Sequence, residues 1–314
     1  MGYSQVKKQP NHLATTDSAM LERIPHLILL LLGLLVASWA QAGSRLIDPE
    51  GLEALRQQAG NRLVILDARA REAYLKGHLP GARHLSALEA FSREDGTNLL
   101  PPVNRLQALL RARGVSNDSV VVLYDNGENY LAARLLWMLD VLGHEDNRLL
   151  NGGLYSWRAA GMPLEEGEPP AVQGDNFVPS VQPERLATKL TVRLAMENPA
   201  LLLLDVRSPQ EYAGEKKLPD VPRAGHIPGA LNLPWTRNLV GEGELGPIKP
   251  REALRSLYGQ LPKDRRIITY CHLGGHSAMA YLILRELGHD VAVYDGSWYE
   301  WSHDPRLPAA TDGE

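Results

Sequence analysis

Cysteine is nearly absent from this chain, which has 314 residues and a single cysteine, Cys271. One cysteine cannot close a disulfide within the chain, so a disulfide-stapled fold is excluded. Excess charge is lacking too. The formal net charge is −4 and no long run carries one sign, which gives no reason to expect a nucleic acid partner. No residues cluster at metal-ligand spacings, which gives no reason to expect a metal.

The composition favours a globular protein with real hydrophobic cores. Hydrophobic residues make up 44% of the chain and charged residues 22%. The length suggests two domains of ordinary size.

An apolar run near the N-terminus predicts an export signal. Residues 27–38 carry no charge, and the run is shorter than the roughly 20 residues that span a bilayer. Basic residues precede it, and the cleavage signal Ala40-Gln41-Ala42 follows it. We therefore predict a signal peptide over residues 1–42, cleaved after Ala42, and a periplasmic protein. An uncleaved membrane anchor is the alternative, and a start at Met20 would give a more typical signal length.

The rest of the chain contains an internal repeat. Landmarks in the first half recur in the same order in the second half. The matched pairs are Leu63–Arg69 with Leu202–Arg207, Gly77–Ala82 with Gly225–Ala230, Val120–Asp125 with Arg266–Cys271, Leu142–His144 with Leu287–His289, and Leu150–Trp157 with Tyr294–Trp301. This pattern indicates duplication of one domain.

Each half shows the alternation typical of an α/β fold. Short apolar runs such as 201–204 and 267–270 predict buried parallel strands, and helical patterns such as 277–287 lie between them. We predict two tandem domains, each a mostly parallel sheet flanked by helices. Their predicted limits are 43–161 and 188–314, joined by a linker over 162–187 that is rich in Pro, Gly and Glu.

Cys271 follows a predicted strand and precedes a predicted helix, with the loop His272–Ser277 between them. Backbone N–H groups converge on anions at such a strand-to-helix loop. Gly274 and Gly275 allow a tight turn, and we expect Ser277 to be the N-cap. An ordinary cysteine is mostly thiol at pH 7, so these amides would favour the reactive thiolate. A buried structural cysteine is the alternative.

Both halves contain Asp-x-Arg, Gly-His-x-Pro-Gly-Ala and Gly…Trp landmarks, and in the second half a cysteine opens a six-residue loop. With these features the chain resembles the rhodanese family over residues 45–305. The resemblance implies a sulfurtransferase whose first domain is inactive and whose site lies near the domain interface. Asp125 stands where the first cysteine would be, and we interpret it as a loop cap. The implied reaction is ping-pong: Cys271 takes sulfur from a donor as a persulfide and passes it to cyanide or a thiol. This implied reaction requires no metal and no organic cofactor.

The implied persulfide site consists of the loop amides, contributed by His272, Leu273, Gly274, Gly275, His276 and Ser277, with Arg207 as a candidate for holding the donor. Family members specific for thiosulfate carry cations in this loop, and those specific for mercaptopyruvate usually show Cys-Gly-Ser-Gly. The loop Cys-His-Leu-Gly-Gly-His matches neither, although thiosulfate remains the first expectation and 3-mercaptopyruvate the second.

The cationic residues near this loop have alternative roles. His276 could supply a donor-binding charge at low pH, or it could have no role. Arg207 could instead pair with a carboxylate as scaffolding, which we favour, and Arg223 could substitute for it.

Two other functions compete with this interpretation. A phosphatase would need arginine six residues after the cysteine, where Ser277 stands. A non-catalytic persulfide carrier, which relays sulfur to a thiol-containing partner protein, is the stronger alternative.

Overall fold

The computed structural model describes residues 1–2, 44–91, 98–168 and 176–311. The predicted signal peptide therefore lies almost entirely outside the described residues. Within those residues, no helix is both long enough and apolar enough to cross a membrane.

The first repeat contains a five-stranded parallel sheet flanked by helices. Its strands are β1 (Leu46–Ile47), β2 (Leu63–Asp67), β3 (Arg83–His84), β4 (Val120–Tyr124) and β5 (Asn147–Leu150), in the order β1-β5-β4-β2-β3. Its helices are α1 (Pro49–Ala59), α2 (Arg71–Leu75), α3 (Ala87–Phe91), α4 (Val103–Arg111), α5 (Tyr130–Val141) and α6 (Gly153–Ala159), with a 3-10 turn over Gly60–Arg62.

The second repeat has the same topology. Its strands are β6 (Leu186–Ala187), β7 (Leu201–Asp205), β8 (Leu231–Asn232), β9 (Arg266–Tyr270) and β10 (Val291–Tyr294), in the order β6-β10-β9-β7-β8. Its helices are α7 (Lys189–Ala195), α8 (Pro209–Ala213), α9 (Arg251–Tyr258), α10 (Gly275–Glu286) and α11 (Ser297–His303), with 3-10 turns over Pro183–Arg185, Trp235–Asn238 and Val240–Glu242. The predicted fold class and the internal duplication are confirmed.

Strand register is the same in both repeats and fixes where the central loops begin. Strand β2 pairs with β4 from Leu63↔Val120 to Asp67↔Tyr124. Strand β7 pairs with β9 from Leu201↔Arg266 to Asp205↔Tyr270. The residues that follow β4 and β9, Asp125 and Cys271, therefore leave the two sheets from equivalent places at the carboxyl edge, where α/β folds bind ligands.

One hydrophobic core joins the two repeats. Helices α5 and α10 pack against each other, and most residues of both are buried, including Trp137 and Tyr281. Each repeat has a second, separate core on the other face of its sheet. An α-helix that is apolar on all sides belongs inside a protein, which explains why these two helices form the interface.

The linker predicted over 162–187 is built into the fold where it is described. Phe177 is buried, the Trp137 indole N–H donates to the Arg185 carbonyl at 2.9 Å, and residues 186–187 form β6. A two-residue strand has too little periodicity to be recognised in a Pro-rich sequence, which explains why the prediction took it for linker.

Candidate active site

Cys271 lies at the carboxyl end of β9, the central strand of the second sheet. The chain turns through His272, Leu273 and Gly274, and α10 begins at Gly275. Cys271 is 1% exposed, and the Gly274 N–H donates to its Sγ at 3.1 Å. The sulfur therefore lies beside the N-terminus of a helix, where the backbone favours a negative charge.

The N-cap of α10 is Gly274, and the prediction that Ser277 fills this role is wrong. Gly274 has a φ of 89°, a left-handed conformation that suits glycine. Ser277 is the third residue of the helix, and its hydroxyl donates to the Gly274 carbonyl at 3.0 Å. A glycine N-cap has no side chain that could accept hydrogen bonds from the first N–H groups of α10. These N–H groups can therefore donate to a bound anion.

The matching loop of the first repeat already holds an anion. The Asp125 carboxylate accepts hydrogen bonds from the amides of Gly127 and Asn129 at 2.9 Å each, Leu131 at 3.1 Å and Ala132 at 3.2 Å. Its interpretation as a loop cap is confirmed. Burial outweighs these bonds and raises the pKa of Asp125 to about 6.

The first repeat identifies the corresponding amides in the second. Leu131 and Ala132 are the second and third residues of α5, and the equivalent residues of α10 are His276 and Ser277. A charged sulfur on Cys271 would meet the same helix end that binds the carboxylate in the first repeat. In the first repeat the anion at the helix N-terminus is the Asp125 side chain itself. In the second repeat the N-terminus of α10 is available to a charged sulfur on Cys271 or to a substrate anion.

His276 lies between two aromatic rings. Its imidazole stacks on Trp235, with centroids 4.3 Å apart and planes 5° from parallel, and the Tyr130 ring meets it edge-on at 4.6 Å. Desolvation lowers the pKa of His276 to about 4. The imidazole is uncharged at neutral pH, so a donor-binding charge at this position would require a pH well below neutral. Aromatic neighbours from another part of the chain could not be inferred from the loop sequence.

His272 and the cysteine backbone tie the loop to its surroundings. The His272 Nε2 lies 2.8 Å from Asp220 Oδ2, and the His272 carbonyl accepts the Tyr299 N–H at 3.1 Å. The Cys271 carbonyl accepts the Trp298 N–H at 2.9 Å. These contacts anchor the loop to the start of α11 and to the segment before β8.

Arg207 belongs to the scaffold, so its predicted donor-binding role is not supported. Its guanidinium bonds the Asp205 carboxylate through Nε and Nη2 and also reaches the carbonyl of the downstream Gly-His motif. Arg69 makes the same bonds to Asp67 in the first repeat, which has no cysteine, so this geometry serves the fold. Arg223 is also structural, because it donates to four backbone carbonyls between residues 301 and 307.

The cavity above Cys271 has a volume of about 330 Å³ and is shared by the two repeats. The second repeat contributes Cys271 and residues of its loop, including Leu273. The first repeat contributes Leu88, Phe91, Asn98, Tyr130, Leu131 and Arg134. The first repeat, which has no cysteine, therefore forms one wall of the site, as expected for a site near the domain interface.

Arg134 is the residue of this wall that the sequence reasoning missed. It is 4% exposed, forms a short ion pair with Asp295 of the second repeat, and donates to the carbonyls of Asn98 at 3.1 Å and Gly274 at 3.4 Å. Asp295 also accepts the Leu100 N–H at 2.6 Å. A charged residue within an otherwise apolar helix requires a partner, and this signal could have revealed the pair.

Comparison with known proteins identifies the family. The family model for the Rhodanese-like domain matches residues 49–160 and 188–304. A thiosulfate sulfurtransferase from Azotobacter vinelandii is 35% identical over 274 residues, covering 83% of this chain and 95% of the relative. The sulfur carrier protein TtuD from Thermus thermophilus is 36% identical over 254 residues, covering 77% and 88%.

A solved structure extends the comparison to the fold. The crystal structure of SseA from Escherichia coli, described as showing the "Rhodanese" fold and the mechanism of 3-mercaptopyruvate sulfotransferases, superposes with a TM-score of 0.71 at 29% identity. The match covers 82% of this chain and 99% of SseA. The chain belongs to the rhodanese-like family, with two tandem copies of its domain. It is a sulfurtransferase.

Proposed function

We propose that Cys271 carries the transferred sulfur as a persulfide held at the N-terminus of α10. The observation that carries this proposal is the pair of matched loops: the first repeat binds a carboxylate with four amides, and the second presents a cysteine to the same helix end. A persulfide anion needs the same electrostatic support.

The reaction has two balanced steps. The Cys271 thiolate attacks the outer sulfur of thiosulfate, a new S–S bond forms, the old one breaks, and sulfite leaves with the electron pair. A nucleophile such as cyanide or a thiol then attacks the outer sulfur of the persulfide and restores the thiolate. Thiosulfate is a candidate donor because the Azotobacter vinelandii relative is a thiosulfate sulfurtransferase. 3-Mercaptopyruvate is the other candidate, because SseA is described with the 3-mercaptopyruvate sulfotransferases.

Intact-protein mass measurement tests the persulfide directly. After incubation with thiosulfate, we expect a mass gain of one sulfur atom that disappears when cyanide is added. Cys271→Ala should show no gain. A wild-type protein that gains no sulfur from any donor would refute the proposal.

A sulfur carrier is the second candidate function, favoured by the similarity to TtuD. A carrier would also form the persulfide on Cys271, but it would release sulfur slowly to cyanide and rapidly to a thiol-containing protein. Steady-state turnover with cyanide separates the two functions, because an enzyme regenerates the thiolate many times whereas a carrier stays loaded.

We also propose that the protein acts in the periplasm. The support is the apolar run over residues 27–38 with its cleavage signal at Ala42. Expression of the full chain in a bacterium, followed by fractionation and N-terminal sequencing, should give a periplasmic protein that begins at Gly43. Full-length protein retained in the cytoplasm would contradict this.

A further inference from the structure

A second cavity lies at the outer edge of the second sheet, between strand β8 and helix α9. Its volume is about 610 Å³, which is ample for a ligand. Among the described residues, none lines both this cleft and the cavity above Cys271. Five of its described lining residues are leucines: Leu204, Leu231, Leu233, Leu257 and Leu261.

Polar side chains close the same edge in the first repeat. Strand β3 is the equivalent edge strand, and the guanidinium of Arg83 donates to the Arg113 carbonyl. Arg113 in turn donates through Nε to the His84 carbonyl at 3.0 Å and pairs with Glu89 at 3.3 Å. These bonds tie β3 to the end of α4 and satisfy the outward carbonyl of the strand.

Leucines take both arginine positions in the second repeat. Leu231 stands at the place of Arg83, because each pairs with the fourth residue of the inner strand beside it. Leu261 stands at the place of Arg113, because each lies eleven residues after the proline N-cap of its helix. Leucine cannot donate to a carbonyl or form an ion pair, so the cleft stays open and Leu231 is 48% exposed.

The outer edge of β8 also presents backbone groups to solvent. The Leu233 N–H donates inward to the Asp205 carbonyl at 2.9 Å, so the backbone groups of the preceding residue, Asn232, face away from the sheet. The Asn232 carbonyl takes the place of the His84 carbonyl, and no residue in the described ranges donates to it. Such an edge can accept a further strand from another chain.

The charge that lines the cleft is positive. Arg237 and Lys249 contribute to the lining, whereas no aspartate or glutamate of the described chain does. Glu242, outside the lining, pairs with Lys249 at 2.9 Å, and Arg237 forms no hydrogen bond or ion pair within the described ranges. Glu89 has the position of Arg237 in the first repeat, five residues after the edge strand, so the sign of the charge is reversed there. Two cations beside one carboxylate leave a positive charge for a ligand.

We propose that this cleft is a docking site for an extended, acidic segment of a partner protein. The segment adds a short strand to β8, places alternate apolar side chains against the leucines and directs a carboxylate to Arg237. The open backbone groups beside the leucines favour a peptide over a small amphiphile. This interaction surface is additional to sulfur transfer and does not depend on it.

Binding of fluorescein-labelled peptides to the full chain tests the proposal. The probes are ten-residue peptides in which aspartate or glutamate alternates with valine, leucine, isoleucine or phenylalanine. Each is matched to a peptide with lysine at the acidic positions. We expect acidic members to bind at least tenfold more tightly than their lysine counterparts. No binding of any acidic peptide at about 1 mM, or equal binding of the matched pairs, would overturn the proposal.

Closing the cleft with the residues of the first repeat gives an independent test. The double variant Leu231→Arg/Leu261→Arg should weaken binding of the acidic peptides at least tenfold. Added arginines strengthen a purely electrostatic attraction, so this loss reports closure of the cleft. Leu190→Arg/Leu194→Arg, at two exposed leucines of α7, is the matched control and should not weaken binding. Both variants should load the persulfide as the wild type does, and undiminished peptide binding by the first would contradict the docking site.

Other occupants and other locations have distinct outcomes. Hydrogen exchange should slow in residues 231–233 and 253–261 when an acidic peptide binds, and protection only elsewhere would refute the location. Sedimentation of the protein alone could show a dimer that Leu231→Arg/Leu261→Arg dissociates, which would assign the face to a second copy of the chain. Binding of decanoate without binding of any peptide would assign the cleft to a small amphiphile. Either of these two results overturns the partner segment.

Discussion

Replacing Arg134 by methionine should both destabilise the protein and slow sulfur transfer. Methionine keeps an apolar stem but removes the guanidinium, which lies over the Phe91 ring and pairs with Asp295, and so leaves a buried carboxylate without its cation. Breaking a buried ion pair from one side costs about 3–5 kcal/mol. Asp295 keeps its hydrogen bond from Leu100, so we expect a value near the lower end, about 3 kcal/mol.

The assay for stability is urea unfolding of the full chain. Arg148→Met is the matched control, because its pair with Asp146 lies on the surface with 31% and 43% of the side chains exposed, and such pairs contribute at most about 1 kcal/mol. Equal losses in the two variants, or a loss below about 1 kcal/mol for Arg134→Met, would refute the reasoning.

The assay for the site is single-turnover loading of the persulfide under native conditions. Arg134 donates to the Gly274 carbonyl and the Gly274 N–H donates to the Cys271 sulfur, so Arg134 is a positioning residue for the loop. We expect the loading rate of Arg134→Met to fall at least tenfold and that of Arg134→Lys to fall less. A folded Arg134→Met protein that loads at the wild-type rate would show that the contact is structural only.

Three further predictions follow from the same geometry. Asp125→Ala leaves four backbone N–H donors without their carboxylate acceptor and should lower the free energy of unfolding by about 3 kcal/mol or more. An unchanged midpoint in urea unfolding would contradict the loop-cap role. Gly274→Ala would place a Cβ in steric conflict with the Arg134 guanidinium and should reduce kcat at least tenfold. Gly288→Ala is its control, because Gly288 has a similar φ of 84° and open space around it, and it should leave kcat unchanged. His276 has a pKa of about 4 in the folded protein and 6.5 in the unfolded chain, so the unfolded chain binds more protons between these two pH values. The free energy of unfolding should therefore fall by about 3 kcal/mol as the pH drops from 6.5 to 4. His276→Phe should remove this pH dependence, and a dependence that persists in the variant would assign it to other groups.

The fold could be predicted from the sequence because its signals repeat. A motif such as Gly-His-x-Pro-Gly-Ala carries little weight alone, but its recurrence with the strands before it identifies a duplicated α/β domain. Short elements were less visible. Strand β6 has only two residues, and its place at the edge of the second sheet depends on pairing with β10, which local periodicity cannot show.

The position of Cys271 at the end of a strand was also predictable, whereas the charge around it was not. Strand, cysteine, glycines and helix are local in sequence, so the loop after β9 could be assigned directly. The protonation state of His276 depends on its burial between Trp235 and Tyr130. Arg207, which was considered for donor binding, instead pairs with Asp205. A partner that determines whether a side chain is charged can come from a distant part of the chain.

The first repeat explains why a domain without a cysteine is retained beside the one that has it. The Asp125 carboxylate accepts hydrogen bonds from the first amides of α5 and so stabilises the start of that helix. Helix α5 then carries Tyr130 and Arg134 to the cavity of the second repeat, where Arg134 holds the Gly274 carbonyl. A second domain produced alone would lose this wall and expose the apolar face of α10, so we expect sulfur transfer to require both repeats.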